Sequence, residues 1–88
     1  MDFLMTARLG AENFLFEENG YESEADITSI TPLPEGGGSE FETLCRIGDK
    51  SLRLVVRVVQ QPTRPYVLIT SDEGAYWVCG LADLREVR

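Results

Sequence analysis

The strongest constraint on the fold is an alternating segment, residues 51–59, which reads SLRLVVRVV. Successive side chains of a strand point to opposite faces of a sheet, and β-branched residues favour strands. One set of side chains is wholly apolar, and it comprises Leu52, Leu54, Val56 and Val58. The other set is mixed, and it comprises Arg53, Val55, Arg57 and Val59. The segment therefore predicts a long, regular strand.

Turn signals on both sides of this segment predict further short strands. Gly48-Asp49 favours a two-residue hairpin, because glycine accepts a positive φ. Two prolines favour a loop at residues 60–65, and Ser71-Asp72-Glu73-Gly74 is typical of a tight turn. Strands are therefore predicted at residues 41–47, 51–59, 66–70 and 75–79. One helical turn at residues 80–84 and a short closing strand at residues 85–87 follow.

The first half of the chain gives weaker signals. Residues 3–9 (FLMTARL) are compatible with a strand or a short helix, and Gly10 is expected to end either one. Residues 13–17 (NFLFE) precede Asn19-Gly20, a dipeptide typical of hairpins, so a strand is predicted there. Another strand is predicted at residues 27–33, followed by a glycine-rich loop at residues 34–40.

The run GAYWVCGLADLREVR resembles the end of an SH3-like barrel. In such barrels a strand with aromatic residues leads into a one-turn helix and a last short strand. The resemblance covers residues 41–88 and is one of shape. The proline-binding tyrosine pair and the acidic loop of signalling SH3 domains are not recognisable, so recognition of proline motifs is not implied. The predicted fold is mainly β, a small curved antiparallel sheet or SH3-like barrel with little helix.

Length and composition favour one small domain over residues 1–88, in which residues 1–40 form an acidic, less regular half and residues 41–88 the sheet core. No segment approaches the ~18–20 apolar residues of a membrane span. Asp2 stands where a signal peptide carries positive charge. Two cysteines are too few for a disulfide scaffold, so we expect a cytoplasmic protein with no membrane partner.

Charge is distributed unevenly along the chain. No Lys or Arg lies between Arg8 and Arg46, where nine carboxylates occur. Residues 1–44 carry a net charge of −9 and residues 45–88 a net charge of +2, which gives −7 overall. This balance disfavours direct nucleic-acid binding, which depends on Lys and Arg, and favours a partner protein with a basic surface. Arg53 and Arg57 share a strand face, where pairing with the acidic half is their simplest use.

The acidic stretch has three interpretations. It is a solvated surface that keeps the domain soluble, a surface that docks on a basic site such as one built for nucleic acid, or a cation site. The spacing of a calcium-binding EF-hand is not met. Glu22, Glu24 and Asp26 on a strand would share a face at intervals of about 6.8 Å, close to the phosphate spacing of a DNA strand. The candidate partner-binding acids are Glu12, Glu17, Glu18, Glu22, Glu24 and Asp26.

Two adjacent aromatic residues supply a further candidate. Tyr76 and Trp77 face opposite ways on a strand, so only one of them lies in the core. If Trp77 packs on the side of Cys79, Tyr76 is the exposed anchor for a partner. Cys45 and Cys79 lack a histidine partner and are interpreted as small buried hydrophobes.

No nucleophile has an activating base, and the chain has no histidine. We therefore expect no catalytic residue, metal site or cofactor. The function predicted is a non-enzymatic protein-binding module, an inhibitor such as an immunity protein or a phage anti-defence protein. The alternative is a structural or assembly subunit that uses a barrel edge, with acids that only solubilise. Salt dependence separates the two, because only electrostatic docking weakens steeply with ionic strength.

Overall fold

The protein forms two layers, in which one helix packs on an open antiparallel sheet. The structure is a computed structural model that describes residues 1–19 and 25–87, without the side chain of residue 19. The elements are α1 (Phe3–Asn19), β1 (Ala25–Pro32), β2 (Glu40–Ile47), β3 (Lys50–Val59), β4 (Tyr66–Ser71), β5 (Tyr76–Gly80) and a 3-10 turn (Leu81–Asp83). The strands lie in the order β1-β2-β3-β4-β5, and the sheet is not closed. The mainly β prediction is confirmed, as an open sheet and not as a closed barrel.

The predicted turns connect these strands. Gly48 has a φ of 62° at the first position of the β2–β3 turn, the type II′ arrangement that matches strand twist. Gly74 has a φ of 88°, and the Ser71 hydroxyl accepts the backbone N–H groups of Glu73 and Ala75 in the β4–β5 turn. The edge strand β1 contains a bulge at Thr28, between Ile27 and Ser29. Local sequence signals thus correctly located the β2–β3 and β4–β5 turns.

The first nineteen residues correct two predictions. Residues 13–17 are helical, not a strand, and Gly10 lies inside α1 and does not end it. Buried side chains recur at helical spacing, namely Ala7, Ala11, Phe14 and Leu15. Asp2 caps the helix, because the Met5 N–H donates to Asp2 Oδ1 at 3.1 Å. The predicted Asn19-Gly20 hairpin extends outside the described residues.

Gly10 has a packing reason for its place within α1. A Cβ at this position would lie 2.8 Å from Cγ1 of Val67 on β4. The missing side chain therefore allows the helix backbone to approach the sheet closely. This gain in packing explains why a residue with low helix propensity occupies the middle of the helix.

The core lies between α1 and one face of the sheet, called here the inner face. The four apolar residues predicted to share a face of β3 are all buried there. Val67 and Ile69 of β4 and Phe41 of β2 extend the same layer. Thr43 is also fully buried, and its hydroxyl oxygen has no hydrogen-bond partner. The core is therefore apolar apart from this one side chain among the described residues.

The end of the chain departs from the predicted closing strand. Residues 84–87 have no regular structure, so the strand prediction at residues 85–87 is wrong. Instead, the side-chain amide of Asn13 donates to the Arg85 carbonyl at 2.9 Å and its oxygen accepts the Arg85 N–H at 3.2 Å. This exchange attaches the terminal segment to α1. No helix in the described part of the chain has the length and apolar character needed to cross a membrane.

Candidate binding surfaces

The face of the sheet opposite α1, called here the outer face, has no second layer among the described residues. Neighbouring strands place six apolar side chains side by side on it, and we call this set the outer apolar patch. Tyr76 is 72% exposed and Val78 is 50% exposed. The remaining members are less exposed, and the full set is Val55, Val59, Tyr66, Leu68, Tyr76 and Val78.

The charged residues of the outer face lie on β1, β2 and β3, and their charges balance. Three acids and three bases lie there on β1, β2 and β3, namely Asp26, Glu40, Glu42, Arg46, Arg53 and Arg57. The Nε of Arg53 lies 2.6 Å from Glu42 Oε2, and the Nε of Arg57 lies 3.1 Å from Glu40 Oε2. Exposed pairs of this kind contribute about 0.2–1 kcal/mol each. The expected pairing of Arg53 and Arg57 with the acidic half is therefore present.

The candidate acids do not form one surface in the described structure. Glu12, Glu17 and Glu18 lie on α1, where about 100° per residue separates their directions around the axis. Asp26 lies on β1, opposite Arg46. Glu22 and Glu24 lie outside the described residues, as does the regular spacing predicted for them. The acids were predicted to form one surface because they are close together in the sequence. In the structure, the described acids lie on a helix and on an edge strand and are therefore separated.

Tyr76 and Trp77 occupy opposite faces. Trp77 lies on the inner side with Cys79, and its ring meets that of Phe14 edge-on, with centroids 6.0 Å apart and planes at 75°. The Trp77 Nε1–H also donates to the Glu17 carboxylate. Tyr76 points to the outer face, so it is the exposed member of the pair. Its role as an anchor stays a prediction.

A groove of about 490 Å³ lies between α1, β5 and the terminal segment, and we call it the β5 groove. Its apolar residues come from three elements, with Phe16 on α1, Trp77 and Cys79 on β5 and Val87 near the end of the chain. Its charged residues are Glu17, Asp83, Arg85 and Glu86. The groove depends on α1 being a helix, so the strand prediction for residues 13–17 hid it from sequence reasoning.

The pKa values of the two cysteine thiols are raised by their surroundings. Burial raises the pKa of Cys45 to about 11, since the core disfavours a thiolate. Burial also raises the pKa of Cys79, and the carboxylates of Asp83 and Glu17 raise it further. Both thiols are therefore protonated at neutral pH, and neither has the lowered pKa of a reactive cysteine. Two carboxylates that line the β5 groove, Asp83 and Glu17, thus act on the Cys79 thiol in the same direction.

Comparison of the chain with protein families, with curated proteins and with solved structures gives no match.

Proposed function

We propose that the protein is a non-enzymatic protein-binding module that docks on a basic surface of a partner protein. The observation that carries the proposal is the outer apolar patch, because α1 covers the other face of the sheet and leaves Tyr76 and Val78 in water. Aromatic side chains at such positions commonly supply most of the binding energy of an interface. The patch provides the lasting contact in this mechanism.

The acidic residues act at longer range in the same mechanism. Internal ion pairs with Arg53 and Arg57 do not alter the net charge of −7, so the chain still attracts a positively charged partner. Attraction of this kind raises the rate of encounter more than it raises the affinity. A basic partner site built for nucleic acid fits this field, which supports an inhibitory role such as that of an immunity or phage anti-defence protein.

The experiment compares two sets of variants against proteins captured from a cytoplasmic extract and then purified. Tyr76→Ala is expected to accelerate dissociation at least tenfold, about 1.4 kcal/mol, whereas Met5→Ala, which truncates an exposed side chain on α1, leaves it unchanged. Surface plasmon resonance measures the dissociation rate of each variant. Unchanged dissociation of the Tyr76 variant from every captured protein would overturn the role of the patch.

The second set tests the field. Glu12→Gln, Glu18→Gln and Asp26→Asn together remove three negative charges, and they are expected to slow association and to flatten its dependence on salt between about 0.05 and 0.5 M. The charge-conserving variants Glu12→Asp, Glu18→Asp and Asp26→Glu serve as controls. Equal association rates and salt slopes for both sets would show that the acids only solubilise.

A structural or assembly subunit is the second candidate, favoured by one observation. In the described sheet β5 pairs with β4 alone and so presents an edge to which another chain can add a strand. Sedimentation velocity separates the two candidates. A dimer that persists at high salt supports assembly through the edge, whereas a monomer at all concentrations supports the binding module.

A further inference from the structure

We propose that the β5 groove binds an extended peptide segment of another protein, in which apolar side chains are flanked by Lys or Arg. This site differs from the outer apolar patch, since Trp77 and Tyr76 point to opposite faces of the sheet. It adds a second, peptide-recognising surface to the proposed binding module. Three features of the groove specify the occupant.

The first feature is an apolar floor. Phe16, Trp77 and Val87 line the groove and are only partly buried, so apolar surface is open to an occupant there. The volume of about 490 Å³ falls within the ~300–1,000 Å³ typical of ligand sites. The orientation of Trp77 is fixed by its edge-on packing against Phe14 in the core. The occupant therefore brings apolar side chains.

The second feature is the charge of the walls. Among the described residues that line the groove, Glu17, Asp83 and Glu86 supply three carboxylates against the single guanidinium of Arg85. The carboxylates of Asp83 and Glu17 both raise the pKa of Cys79, which lines the same groove. A segment with Lys or Arg beside its apolar residues complements this field, whereas an acidic segment is repelled.

The third feature is the strand edge itself. β5 forms one margin of the described sheet, and an extended peptide that adds to such an edge gains backbone hydrogen bonds and places alternate side chains towards the groove. The far wall is already formed, because Asn13 exchanges two hydrogen bonds with the Arg85 backbone. Little ordering of the terminal segment is then needed on binding, which favours affinity.

The test uses Trp77 as an internal probe, since it is the only tryptophan of the chain. Three capped synthetic peptides are titrated into the full chain: Lys-Val-Leu-Val-Lys, its charge-reversed form Glu-Val-Leu-Val-Glu, and the polar form Lys-Ser-Ser-Ser-Lys. We expect a saturable change in Trp77 emission with the first peptide and at least about tenfold weaker binding of the other two. No saturable change with the first peptide, or equal binding of the charge-reversed one, would overturn the proposal.

Variants then locate the binding. Asp83→Asn and Glu86→Gln together are expected to weaken binding of the Lys-bearing peptide about tenfold. The matched control, Glu35→Gln with Asp49→Asn, removes the same charge outside the groove and keeps full affinity. Equal weakening by both sets would place the effect in the overall charge and refute a groove site.

A second readout does not depend on these variants. Bound peptide is expected to slow alkylation of Cys79 in the unmodified chain, while Cys45 stays buried with and without peptide. Tyr76→Ala keeps peptide affinity, so failure of the outer patch and failure of the groove are distinguishable. Trp77 emission that changes with protein concentration in the absence of peptide would show that a second copy of the chain fills the groove, against the proposal.

Discussion

The two faces of the sheet differ in how much of their surface the fold itself uses. On the inner face, β1 to β4 contribute buried side chains to the layer beneath α1, whereas the inward side chains of β5 are only partly buried and border the groove. On the outer face, two ion pairs join β2 to β3, and an apolar patch open to water extends over β3, β4 and β5. The inner face thus accounts for stability, whereas the outer patch has no packing role that explains its composition. Substitutions matched across the two faces test this contrast.

The largest effect is expected from the same truncation made on each face. Leu54→Ala, at a fully buried inner position, is expected to lower the free energy of unfolding by about 2–5 kcal/mol, because it leaves a cavity. Leu44→Ala, at a position 40% exposed on the outer face, is expected to cost far less. Urea denaturation measures both. Similar losses for the two variants would show that the outer face is also part of the core.

Cys45 makes the inner face sensitive to high pH. Its pKa is raised from 9.0 to about 11 by burial, so the folded state holds the proton more tightly than the unfolded state does. This contribution is complete below pH 9 and is lost as the pH rises towards 11, by roughly 2–3 kcal/mol at 1.36 kcal/mol per pH unit. Denaturation at several pH values should therefore show a steeper decline for the natural chain than for Cys45→Ala. An equal decline in stability with pH for the two proteins would contradict a role for Cys45 ionisation.

Gly10 tests how closely α1 approaches the inner face. Alanine favours helices over glycine by about 1 kcal/mol, yet Gly10→Ala is expected to destabilise by about 1–3 kcal/mol because its Cβ would meet Val67. A truncation of the neighbour, Val67→Ala, is expected to relieve the conflict in the double variant. Thermal denaturation of the unsubstituted chain, the two single variants and the double variant gives the coupling energy. Strictly additive effects would refute close packing between Gly10 and Val67.

Thr43 offers a stabilising substitution on the inner face. Its hydroxyl is buried without a hydrogen-bond partner, which costs about 1–3 kcal/mol. Thr43→Val has nearly the same shape and is expected to raise the free energy of unfolding by about 1 kcal/mol. The exposed Thr63→Val serves as the control and is expected to leave stability unchanged. A loss of stability in the Thr43 variant would indicate that the hydroxyl is satisfied.

The smallest effect is expected from the ion pairs of the outer face. A double-mutant cycle of Glu42→Gln and Arg53→Met should give a coupling energy of only about 0.2–1 kcal/mol, because both groups are exposed to water. Salt at about 1 M should reduce it further. A coupling well above this range would mean that the charged part of the outer face contributes to stability as strongly as the inner face does.

Local patterns in the sequence were sufficient for most of the sheet. The alternation of residues 51–59 specified which side chains of β3 are buried, and Gly48 and Gly74 marked two of the chain reversals. These features are readable because a strand has a period of two and because only glycine adopts a positive φ without strain. The same alternation placed Tyr76 and Trp77 on opposite faces, although it left open which one lies inside.

The helix was the main failure of sequence reasoning. NFLFE alternates in part like a strand, but Phe14 and Leu15 combine with Ala7 and Ala11 at a helical period that becomes apparent only over a longer window. Gly10 is a common helix terminator, and its packing against Val67 is a contact between residues 57 positions apart. No local signal encodes such a contact.

The sequence alone determined the approximate positions of the five strands of the sheet, the turns at Gly48 and Gly74, the inward set of β3 and the charge of the chain, because each depends on neighbouring residues or on simple counts. Only the tertiary structure decided that the described candidate acids lie on different elements, which carboxylates pair with Arg53 and Arg57, and that α1, β5 and the terminal segment enclose a groove. The physical reason is that ion pairs and grooves depend on distances through space. The ion-pair distances are set by the register of β2 and β3, and the groove is set by how α1 packs on the sheet and how Asn13 holds the end of the chain.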